Sequence, residues 1–374
     1  MQTKETEATA RSSSVELLRI IAMIAIVICH FATHGGFAFD EAKLTLPRLW
    51  WSFIEMGGNF GVNVFVLISG YFLVAGSGRI FNFKRVFKFW WQVFFYSIII
   101  YAIFSAVSSS EFDIISCIKA FFPITFGLWW FASTYFVLYL IHPFLNMLIL
   151  NLDKKTYQIL ITAQLILWCI IPTLTHSSYQ SNNLIWFITL YSVAGYVRLY
   201  GLNPKFTAKS YIGFFLLFSS LRFLSCVVIM AIGTAVPPIS KYSLFFYGQQ
   251  SIFTFLSAFC LFLAFEKWDI GSVKWINIIA SATFGVYLIH DHPLIRSLLW
   301  KTVFVNAEYQ ESALIIPYSI AATLIVYIAC TLTDLVRKAI IERPLTSFID
   351  RHAEQITKPF EWAIDKLKGW IFGK

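Results

Sequence analysis

The fold class of this chain follows from residues 15–30, which read V-E-L-L-R-I-I-A-M-I-A-I-V-I-C-H. Only two of these sixteen residues, Glu16 and Arg19, are charged at neutral pH, and the run continues to about residue 34. A span of about 20 apolar residues crosses the hydrocarbon core of a bilayer. Lipid offers peptide groups no hydrogen-bond partner, so the run is predicted to be a transmembrane helix. No small-residue cleavage site follows it, and we expect a retained span instead of a signal peptide.

The composition of the whole chain agrees with a membrane protein. Of 374 residues, 58% are hydrophobic and 13% are charged, and the mean hydropathy is +0.70. Soluble domains carry about a quarter charged residues, so an ordinary soluble enzyme, a disordered chain and a nucleic-acid binder are excluded. The net charge of +9 is typical of positively charged cytoplasmic loops and does not indicate a nucleic-acid partner.

Ten apolar runs, separated by turn and charged residues, can be marked along the chain. They are residues 15–34, 56–75, 89–109, 127–150, 157–175, 183–200, 211–232, 244–265, 273–290 and 312–333. We therefore predict an all-α, polytopic membrane protein of about ten transmembrane helices, with its membrane domain at residues 1–344. Residues 345–374 are predicted to form a basic amphipathic tail on the inner membrane surface, with a solvated tail as the alternative.

The distribution of Lys and Arg predicts that both termini are cytoplasmic. With the amino terminus inside, six basic residues fall in outer loops: Lys43, Arg48, Lys119, Lys241, Arg296 and Lys301. The inner loops and span ends hold eleven, besides those of the tail: Arg79, Lys84, Arg85, Lys88, Lys154, Lys155, Arg198, Lys205, Lys209, Lys267 and Lys274. This excess follows the positive-inside rule and favours an even number of spans.

The six cysteines give no sign of a disulfide framework or a zinc site. Nearly all lie inside apolar runs, and no two form a C-x-x-C pair. We predict that they are small hydrophobic side chains packed between helices.

The first span carries a stripe of polar residues along one face. Glu16 and Arg19 are three residues apart, so they share a helix face and can pair. His30 follows Arg19 by eleven residues, close to three helical turns, and returns to that face about 16 Å further along the axis. A neutral histidine is the usual general base near neutral pH. A snorkelling arginine and an interfacial histidine are an equally good interpretation of these residues taken singly.

Two further segments have a functional and a bland interpretation. The second run contains small and amide residues, which predict either close helix packing, the favoured interpretation, or a lined cavity. They are Gly57, Gly58, Asn59, Gly61, Asn63, Ser69 and Gly70. After it, Lys84, Arg85 and Lys88 form a cytoplasmic cluster that suits phosphate groups. A positive-inside anchor is the more common reason for such a cluster.

Polar residues also occur in two later runs. Arg222 lies in the middle of F-L-L-F-S-S-L-R-F-L-S-C-V-V, and must face the protein interior or water as an ion-pair partner or a pathway residue. Tyr287 and His290, followed by Asp291 and His292, lie at the outer end of the ninth run. Two histidines and an aspartate can bind a metal, but a polar helix end explains this spacing better, and we predict no metal site.

Taken together, these segments resemble the membrane acyltransferase-3 family, the bacterial O-acyltransferases that modify surface glycans. The specific features are the R-x10-H pair of Arg19 and His30 and the G-V-x-x-F-x-x-x-S-G pattern of residues 61–70. The supporting features are the basic cluster of Lys84, Arg85 and Lys88, Trp130 with Tyr139 and Pro143, residues 287–290, and the E-R-P sequence of residues 342–344. The resemblance covers nearly the whole chain.

The resemblance implies a ten-helix fold in the bacterial cytoplasmic membrane and the use of acyl-CoA, usually acetyl-CoA, as donor. No cofactor is expected to be bound permanently. The acyl group would pass to a hydroxyl of a cell-surface or lipid-linked glycan at the outer face, with the lipid bilayer as the other partner.

Residue roles carry over from the resemblance in the same way. His30 is expected to be catalytic, together with Arg19 and its neighbour Glu16. Arg85 and Lys88 match the family's R-x-x-R, and with Lys84 they would hold the CoA phosphates, while Trp130 would lie near the acyl path. Five residues are candidates on the substrate side: Asn63, Ser69, Arg222, Tyr287 and His290.

The sequence departs from the family pattern at three places. Asn63 stands where members often have Asp, and Lys88 replaces the second Arg, which keeps the charge but loses the bidentate fork. Tyr135 and Phe136 stand where some members carry a Glu pair, which indicates a different acceptor. No soluble esterase-like domain is present in the sequence, so a polysaccharide acceptor is expected instead of cell-wall glycan.

The alternative function is a transporter or flippase of a lipid-linked glycan. It would also need buried charge and aromatic walls, but not an R-x10-H pair opposite a phosphate-binding cluster. A membrane sensor domain is a third, less favoured possibility. Protection of the protein by acetyl-CoA against thermal unfolding would separate the enzyme from the transporter.

Overall fold

The fold was obtained as a computed structural model that describes residues 13–74, 83–107 and 113–351, with Trp362 and Lys366 beyond them. Within these ranges the chain forms helices and loops and no β-strand. The prediction of an all-α, polytopic membrane protein is confirmed. Eight helical segments in the described part are long and apolar enough to span a membrane: Ser13–His34, Leu46–Val74, Lys84–Val107, Trp130–Leu150, Lys154–Thr175, Ala208–Ala235, Pro237–Lys267 and Ile315–Ser347.

Nine α-helices lie in the described part of the first half of the chain. They are α1 (Ser13–His34), α2 (Leu46–Glu55), α3 (Gly57–Val74), α4 (Phe83–Val107), α5 (Ile114–Phe121), α6 (Trp130–Leu150), α7 (Lys154–Leu165), α8 (Ile171–Thr175) and α9 (Asn183–Tyr200). A π-helical turn, Ile166–Ile170, joins α7 to α8, so the two form one continuous span.

The second half contributes the remaining α-helices. They are α10 (Ala208–Ala235), α11 (Pro237–Ser240), α12 (Ile252–Lys267), α13 (Lys274–Ser281), α14 (Thr283–His290), α15 (Pro293–Ser297), α16 (Ile315–Arg337) and α17 (Arg343–Arg351). The short 3₁₀ segments are Phe245–Tyr247 and Asn306–Tyr309, and the π-helical segments are Leu298–Val303 after α15 and Lys338–Glu342 between α16 and α17.

Two of the ten apolar runs differ in form from a simple span. Residues 183–200 form α9, which lies in the protein interior with Trp186, Phe187, Leu190 and Tyr191 fully buried. Residues 273–290 divide at Ala282 into the short helices α13 and α14. A break of this kind inside a membrane protein is tolerated where the backbone is surrounded by protein, and it places the end of α14 beside α1.

Helix α1 lies at the centre of the bundle and packs against α3, α12, α13, α14 and α16. Its contact with α3 is unusually close because glycines of α3 face it. A Cβ at Gly61 would lie 2.7 Å from the carbonyl oxygen of Ala22, and a Cβ at Gly57 would lie 2.2 Å from that of Ala25. The small residues of the second run therefore serve close helix packing, as the sequence favoured, and Gly58, Asn59 and Ser69 also line a cavity.

The long helix α10 has an exposed apolar face. Its Leu217, Leu221, Leu224 and Val228 are at least 40% exposed, whereas Arg222 is 2% exposed. The expectation that Arg222 faces the interior is thus confirmed. Five of the six cysteines are buried, and Cys117 is partly exposed.

The predicted tail falls mostly outside the described residues. Helix α17 begins at Arg343, just before the expected boundary at residue 344, and runs to Arg351. Both termini are expected in the cytoplasm, and this orientation stays a prediction.

Candidate active site

Two cavities meet inside the helix bundle. The first, here called the central cavity, has a volume of about 510 Å³ and follows α1 from Arg19 to His34. Its other walls come from α3, α4, α6 and α14, with polar groups concentrated near His30. Its polar lining residues are Arg19, Cys29, His30, Thr33, His34, Glu55, Asn59, Ser69, Tyr135, Tyr247, Thr283, Tyr287, Asp291 and Arg296.

The second, here called the basic cavity, has a volume of about 930 Å³ and lies at the Arg19 end of the bundle. Five of its lining residues are Lys or Arg: Arg19, Lys88, Lys338, Arg343 and Arg351. Arg19, Thr283 and Phe284 line both cavities, so the two meet at these three side chains. A ligand can therefore present a charged group in one cavity and a long apolar arm in the other.

The tautomer of His30 is set by a chain of two hydrogen bonds. Nδ1 of His290 lies 2.6 Å from the carbonyl oxygen of Val286, which can only accept, so Nδ1 of His290 carries the proton. The Nε2 of a neutral His290 is then an acceptor, and it lies 2.9 Å from Nδ1 of His30. His30 must therefore donate from Nδ1, which leaves its Nε2 unprotonated. This is the tautomer that a general base needs.

A carboxylate and a guanidinium surround this histidine. Oδ1 of Asp291 lies 3.5 Å from Nδ1 of His30 and 3.9 Å from Nε2 of His34. Arg296 Nη1 lies 3.7 Å from the same oxygen and 3.4 Å from Nε2 of His34. A negative charge beside Nδ1 favours the imidazolium that forms when Nε2 takes up a proton.

Three residues of this cluster are of types that bind metal ions. His30, His34 and Asp291 bring three potential ligand atoms within 4.8 Å of one another. Arg296, however, already places the protein's own cation against Asp291 and His34. A metal ion would have to bind next to this guanidinium, so the residues fit a charge-balanced cluster better than a metal centre.

Asp291 is the first residue after α14 and is 6% exposed. Burial raises the pKa of its carboxyl above the usual value, while the neighbouring His290 and Arg296 lower it in part. The charge of this carboxylate therefore depends on the cations around it.

Arg19 stands at the junction of the two cavities and is paired within its own helix. Its Nη1 lies 3.4 Å from both carboxylate oxygens of Glu16, which is 5% exposed. Glu16 lines neither cavity in the described structure. Glu16 thus holds the Arg19 side chain in place, and the guanidinium of Arg19 presents its positive charge at the junction of the two cavities.

Aromatic rings form the wall between Arg19 and His30. The rings of Phe89 and Phe284 stack with centroids 4.8 Å apart, and Tyr287 meets Phe131 edge to face at 5.6 Å. Trp130 also lines the cavity and is 40% exposed, in ring contact with Phe131 at 6.1 Å. This passage is apolar apart from the phenol and hydroxyl groups on it, and it suits an uncharged arm.

The predicted basic cluster divides between two places. Lys88 lines the basic cavity and pairs with Oε1 of Glu342 at 2.5 Å. Arg85 lies against Tyr139 of α6, and neither it nor Lys84 is among the residues that line either cavity. The basic cavity draws its other cations from Arg19 of α1 and from the residues that follow α16.

The substrate-side candidates also separate. Ser69 and Tyr287 line the central cavity, and His290 is fully buried behind it as the partner of His30. Asn63 is fully buried, and both polar atoms of its side chain are already hydrogen-bonded within the protein. Its Nδ2 donates to the carbonyl oxygen of Gln249, and its Oδ1 accepts from Trp186. Arg222 lies behind the cavity wall, with its guanidinium 4.7 Å from the ring of Tyr247.

Several residues that line the two cavities were not predicted from the sequence. Glu55, His34 and Arg296 line the central cavity, and Lys338 and Arg343 line the basic cavity. Each lies near the end of a helix or in a loop, where a charged residue is ordinary. Only the E-R-P sequence and the His290-Asp291-His292 cluster gave a local signal.

Comparison with protein families gives one match of high coverage. The family model described as an acyltransferase domain matches residues 12–333. This stretch includes α1 to α15, most of α16 and both residues of the Arg19–His30 pair. No curated protein and no solved structure matched the chain. The match spans far more than half of the chain, and with the helical bundle it shows that this multi-pass membrane protein belongs to the acyltransferase-3 family of membrane acyltransferases.

Proposed function

We propose that the protein transfers an acetyl group from acetyl-CoA to a hydroxyl of a cell-surface or lipid-linked polysaccharide, in the bacterial cytoplasmic membrane. The observation that supports this most is the meeting of the two cavities. The basic cavity offers cations at one end of the bundle, and the central cavity leads from Arg19 to an unprotonated nitrogen of His30.

The nucleotide part of the donor is assigned to the basic cavity. Lys88, Lys338 and Arg343 face this space and would pair with its phosphates, because charge-assisted hydrogen bonds to phosphate are strong. Glu342 holds Lys88 in the absence of donor. Lys84 and Arg85 lie on the same end of α4, where they add positive potential at the entrance.

The pantetheine arm would pass Arg19 and enter the central cavity. Phe89, Phe284 and Trp130 then surround it and exclude water from the thioester. Exclusion of water protects the acyl group from hydrolysis and strengthens the electrostatic interactions inside the cavity.

His30 then acts as general base. Its Nε2 removes the proton from the acceptor hydroxyl while the oxygen attacks the thioester carbon, and a new C–O bond forms. When the tetrahedral intermediate collapses, the C–S bond breaks and the leaving CoA sulfur takes the proton back from Nε2. Asp291 stabilises the intermediate imidazolium from the Nδ1 side. A positioned base of this kind contributes roughly 10²–10⁴-fold to the rate.

The intermediate carries a negative charge on the former carbonyl oxygen, and a donor beside it stabilises that charge. Tyr287 is the candidate within the central cavity. Its hydroxyl is buried in the cavity wall beside the Asp291 carboxyl and forms no hydrogen bond of good geometry with the described residues, so it can turn toward a developing oxyanion. We therefore assign the oxyanion donor to this phenol.

The test is an acetyl-transfer assay with the full chain in lipid nanodiscs. Radiolabelled acetyl-CoA is combined with polysaccharide isolated from a host strain deleted for the gene. We expect His30→Asn to lower the turnover by about 10²-fold or more, because no base remains at that position. His176→Asn, at an exposed loop histidine, is the matched control and should retain the wild-type rate. Wild-type turnover by His30→Asn would overturn the assignment.

A thermal-unfolding measurement separates this function from lipid-linked glycan transport. Acetyl-CoA at 100 times its Kd should stabilise the protein by about 2.7 kcal/mol, seen as a higher Tm. His30→Asn should retain the protection, since His30 lies away from the basic cavity. A Tm that does not respond to saturating acetyl-CoA would favour the transporter.

A further inference from the structure

A second polar group, on α2 and α3, faces the central cavity. Glu55 is the last residue of α2, and Asn59 lies in the first turns of α3. Both line the cavity, together with Cys29 of α1 and Tyr247 of the short 3₁₀ segment. None of these side chains has a part in the transfer chemistry assigned above.

This group lies at the same depth as His30. Cys29 directly precedes His30 in α1, and its thiol donates to the backbone carbonyl oxygen of Glu55 at 3.3 Å. A Cβ at Gly58 would lie 2.6 Å from the same sulfur, so the start of α3 is pressed against this part of α1. The contact fixes the Glu55 backbone one residue away from the proposed base.

The Glu55 carboxylate keeps an acceptor atom unused. Its Oε2 is buried from solvent and has no hydrogen-bond partner among the described residues. Arg222 lies close enough to attract the carboxylate electrostatically and is itself 2% exposed. A buried charge is tolerated when an opposite charge compensates it, so Arg222 makes an ionised Glu55 possible within the bundle.

Arg222 is held in place by the cavity wall. Its guanidinium lies 4.7 Å from the ring centroid of Tyr247, and its Nη2 donates to the carbonyl oxygen of Tyr247 at 3.5 Å. The same carbonyl accepts from Nδ2 of Asn59 at 2.9 Å. This bond orients the amide of Asn59 and leaves its Oδ1 as a second acceptor on the cavity wall.

We propose that Glu55 and Asn59 bind the acceptor sugar, with Glu55 accepting a hydrogen bond from a hydroxyl that is not the one acylated. This inference rests on the proposed function and adds the residues that select the acceptor. Two acceptors without donors suit a polyhydroxylated ligand. They do not suit the donor, because a carboxylate repels the phosphates and the departing thiolate of CoA. Arg222 contributes an opposite charge that partly compensates the burial of the Glu55 carboxyl.

The proposed acceptor site and His30 thus share the central cavity. A sugar held there by one hydroxyl presents another to Nε2. A site built to bond a hydroxyl rejects analogues that lack it, because its own polar group is then left unpaired. The identity of the acceptor hydroxyl is thus set by the distance between Glu55 and His30.

The experiment measures acetyl transfer by the full chain in nanodiscs to the unacetylated polysaccharide from the deletion strain. Glu55→Gln keeps the shape of the side chain but removes its charge and turns one oxygen into a donor. We expect the KM for polysaccharide to rise about 10- to 100-fold, because a hydrogen bond to a charged acceptor is lost. The KM for acetyl-CoA and the thermal protection by acetyl-CoA should stay at the wild-type values. Glu41→Gln, at an exposed loop carboxylate, is the matched control and should change nothing.

A second measurement keeps the test sensitive even if Glu55→Gln folds less well. Methyl glycosides of the polysaccharide's own sugars, each lacking one hydroxyl, are offered to wild type and to Glu55→Gln. One deoxy analogue should be acetylated equally slowly by both proteins, since the partner of Glu55 is missing in each case. A folding defect would lower the rates for all analogues by the same factor.

Two outcomes would overturn the proposal in distinguishable ways. If wild type transfers acetyl and Glu55→Gln shows an unchanged KM for polysaccharide, the assignment of Glu55 is wrong and the proposed function stands. If wild type transfers no acetyl to any acceptor and acetyl-CoA gives no thermal protection, the proposed function fails and takes this inference with it.

Discussion

At the scale of single residues, the candidate site depends on the neighbours that fix the tautomer of His30 and place a charge beside it. A histidine within a span has two tautomers, and only one presents a lone pair to the cavity. The carbonyl oxygen of Val286 selects the tautomer of His290, and His290 selects that of His30. Asp291 then supplies the charge that favours proton uptake. The reactive nitrogen is therefore defined by three residues from another part of the chain.

Asp291→Asn tests whether the negative charge of Asp291 assists His30 as general base. The amide has nearly the same shape but no negative charge, so the imidazolium of His30 loses its stabilising partner. We expect the turnover number for acetyl transfer to fall by about 10²-fold or more, as for other base-orienting carboxylates. The KM for acetyl-CoA should not change, because the phosphates are proposed to bind at the far end of α1.

The control for this variant is Asp269→Asn, at an exposed loop carboxylate that accepts from the backbone N–H of Gly271. An asparagine there retains an acceptor oxygen, so activity should be unaffected. Undiminished turnover of Asp291→Asn would show that the carboxylate has no part in the transfer.

At the scale of helices, the close packing of α1 against α3 sets the width of the central cavity. Gly61 allows the backbones of the two helices to touch, and Ala22 and Ile26 of α1 fill the place where a side chain would lie. In lipid, packing of this kind replaces the hydrophobic effect as the force between helices. Because α3 also carries Asn59 and Ser69, any displacement of α3 moves one cavity wall.

Gly61→Ala should destabilise the protein despite the higher helix propensity of alanine. The new methyl would lie 2.7 Å from the Ala22 carbonyl oxygen, which is backbone and cannot move aside by rotation. We expect a loss of about 1–3 kcal/mol, typical of overpacking, seen as a lower Tm in detergent. The rate of acetyl transfer should fall with it.

Gly213→Ala is the matched control, because no heavy atom lies within 4 Å of a Cβ at this exposed position of α10. It should leave the Tm unchanged or raise it, since alanine is favoured over glycine inside a helix by about 1 kcal/mol. Equal Tm changes in the two variants would argue against a tight α1–α3 contact.

At the scale of the whole molecule, the two cavities that meet at Arg19 are proposed to receive the nucleotide of the donor and the acceptor separately. The basic cavity has its cations on α1, on α4 and on the residues that follow α16, and a buried network holds α4 and α16 together. Asp334 accepts from Tyr96 at 2.8 Å and from Arg337 at 2.8 Å, and Arg337 bonds Glu342 at 2.6 Å. Because Glu342 also pairs with Lys88, the network positions the wall on which the nucleotide is proposed to bind.

Lys88→Gln and Arg343→Gln, tested separately, should weaken donor binding without affecting the chemistry. Each removes one positive charge from the wall of the basic cavity, so we expect the KM for acetyl-CoA to rise about 3- to 10-fold, worth up to about 1.4 kcal/mol. The turnover number should stay near the wild-type value. The difference from wild type should shrink in high salt, which screens exposed charges.

Lys205→Gln removes a positive charge from an exposed loop away from both cavities and serves as the control. Its KM for acetyl-CoA should equal that of the wild type. The same KM in all three variants would place the nucleotide elsewhere.

More of the fold than of the candidate site could be predicted from the sequence. The helical membrane class and the shared face of Glu16, Arg19 and His30 follow from local patterns, because helix periodicity relates residues a few turns apart. Asn63 was expected on the substrate side, yet both ends of its amide are bound to Trp186 and to Gln249. Nothing in the local sequence reveals such distant partners.

The sequence by itself determined that the chain is a polytopic helical membrane protein, that it resembles the acyltransferase-3 family, and that Arg222 must face the protein interior or water. Each of these depends on composition or on the cost of charge in lipid. Only the tertiary structure decided which polar groups share a cavity. His30 meets His290, Lys88 meets Glu342, and Glu55 lies within electrostatic reach of Arg222, because helices far apart in sequence pack together. The periodicity of one helix shows which face is buried but not which residue of another helix lies against it.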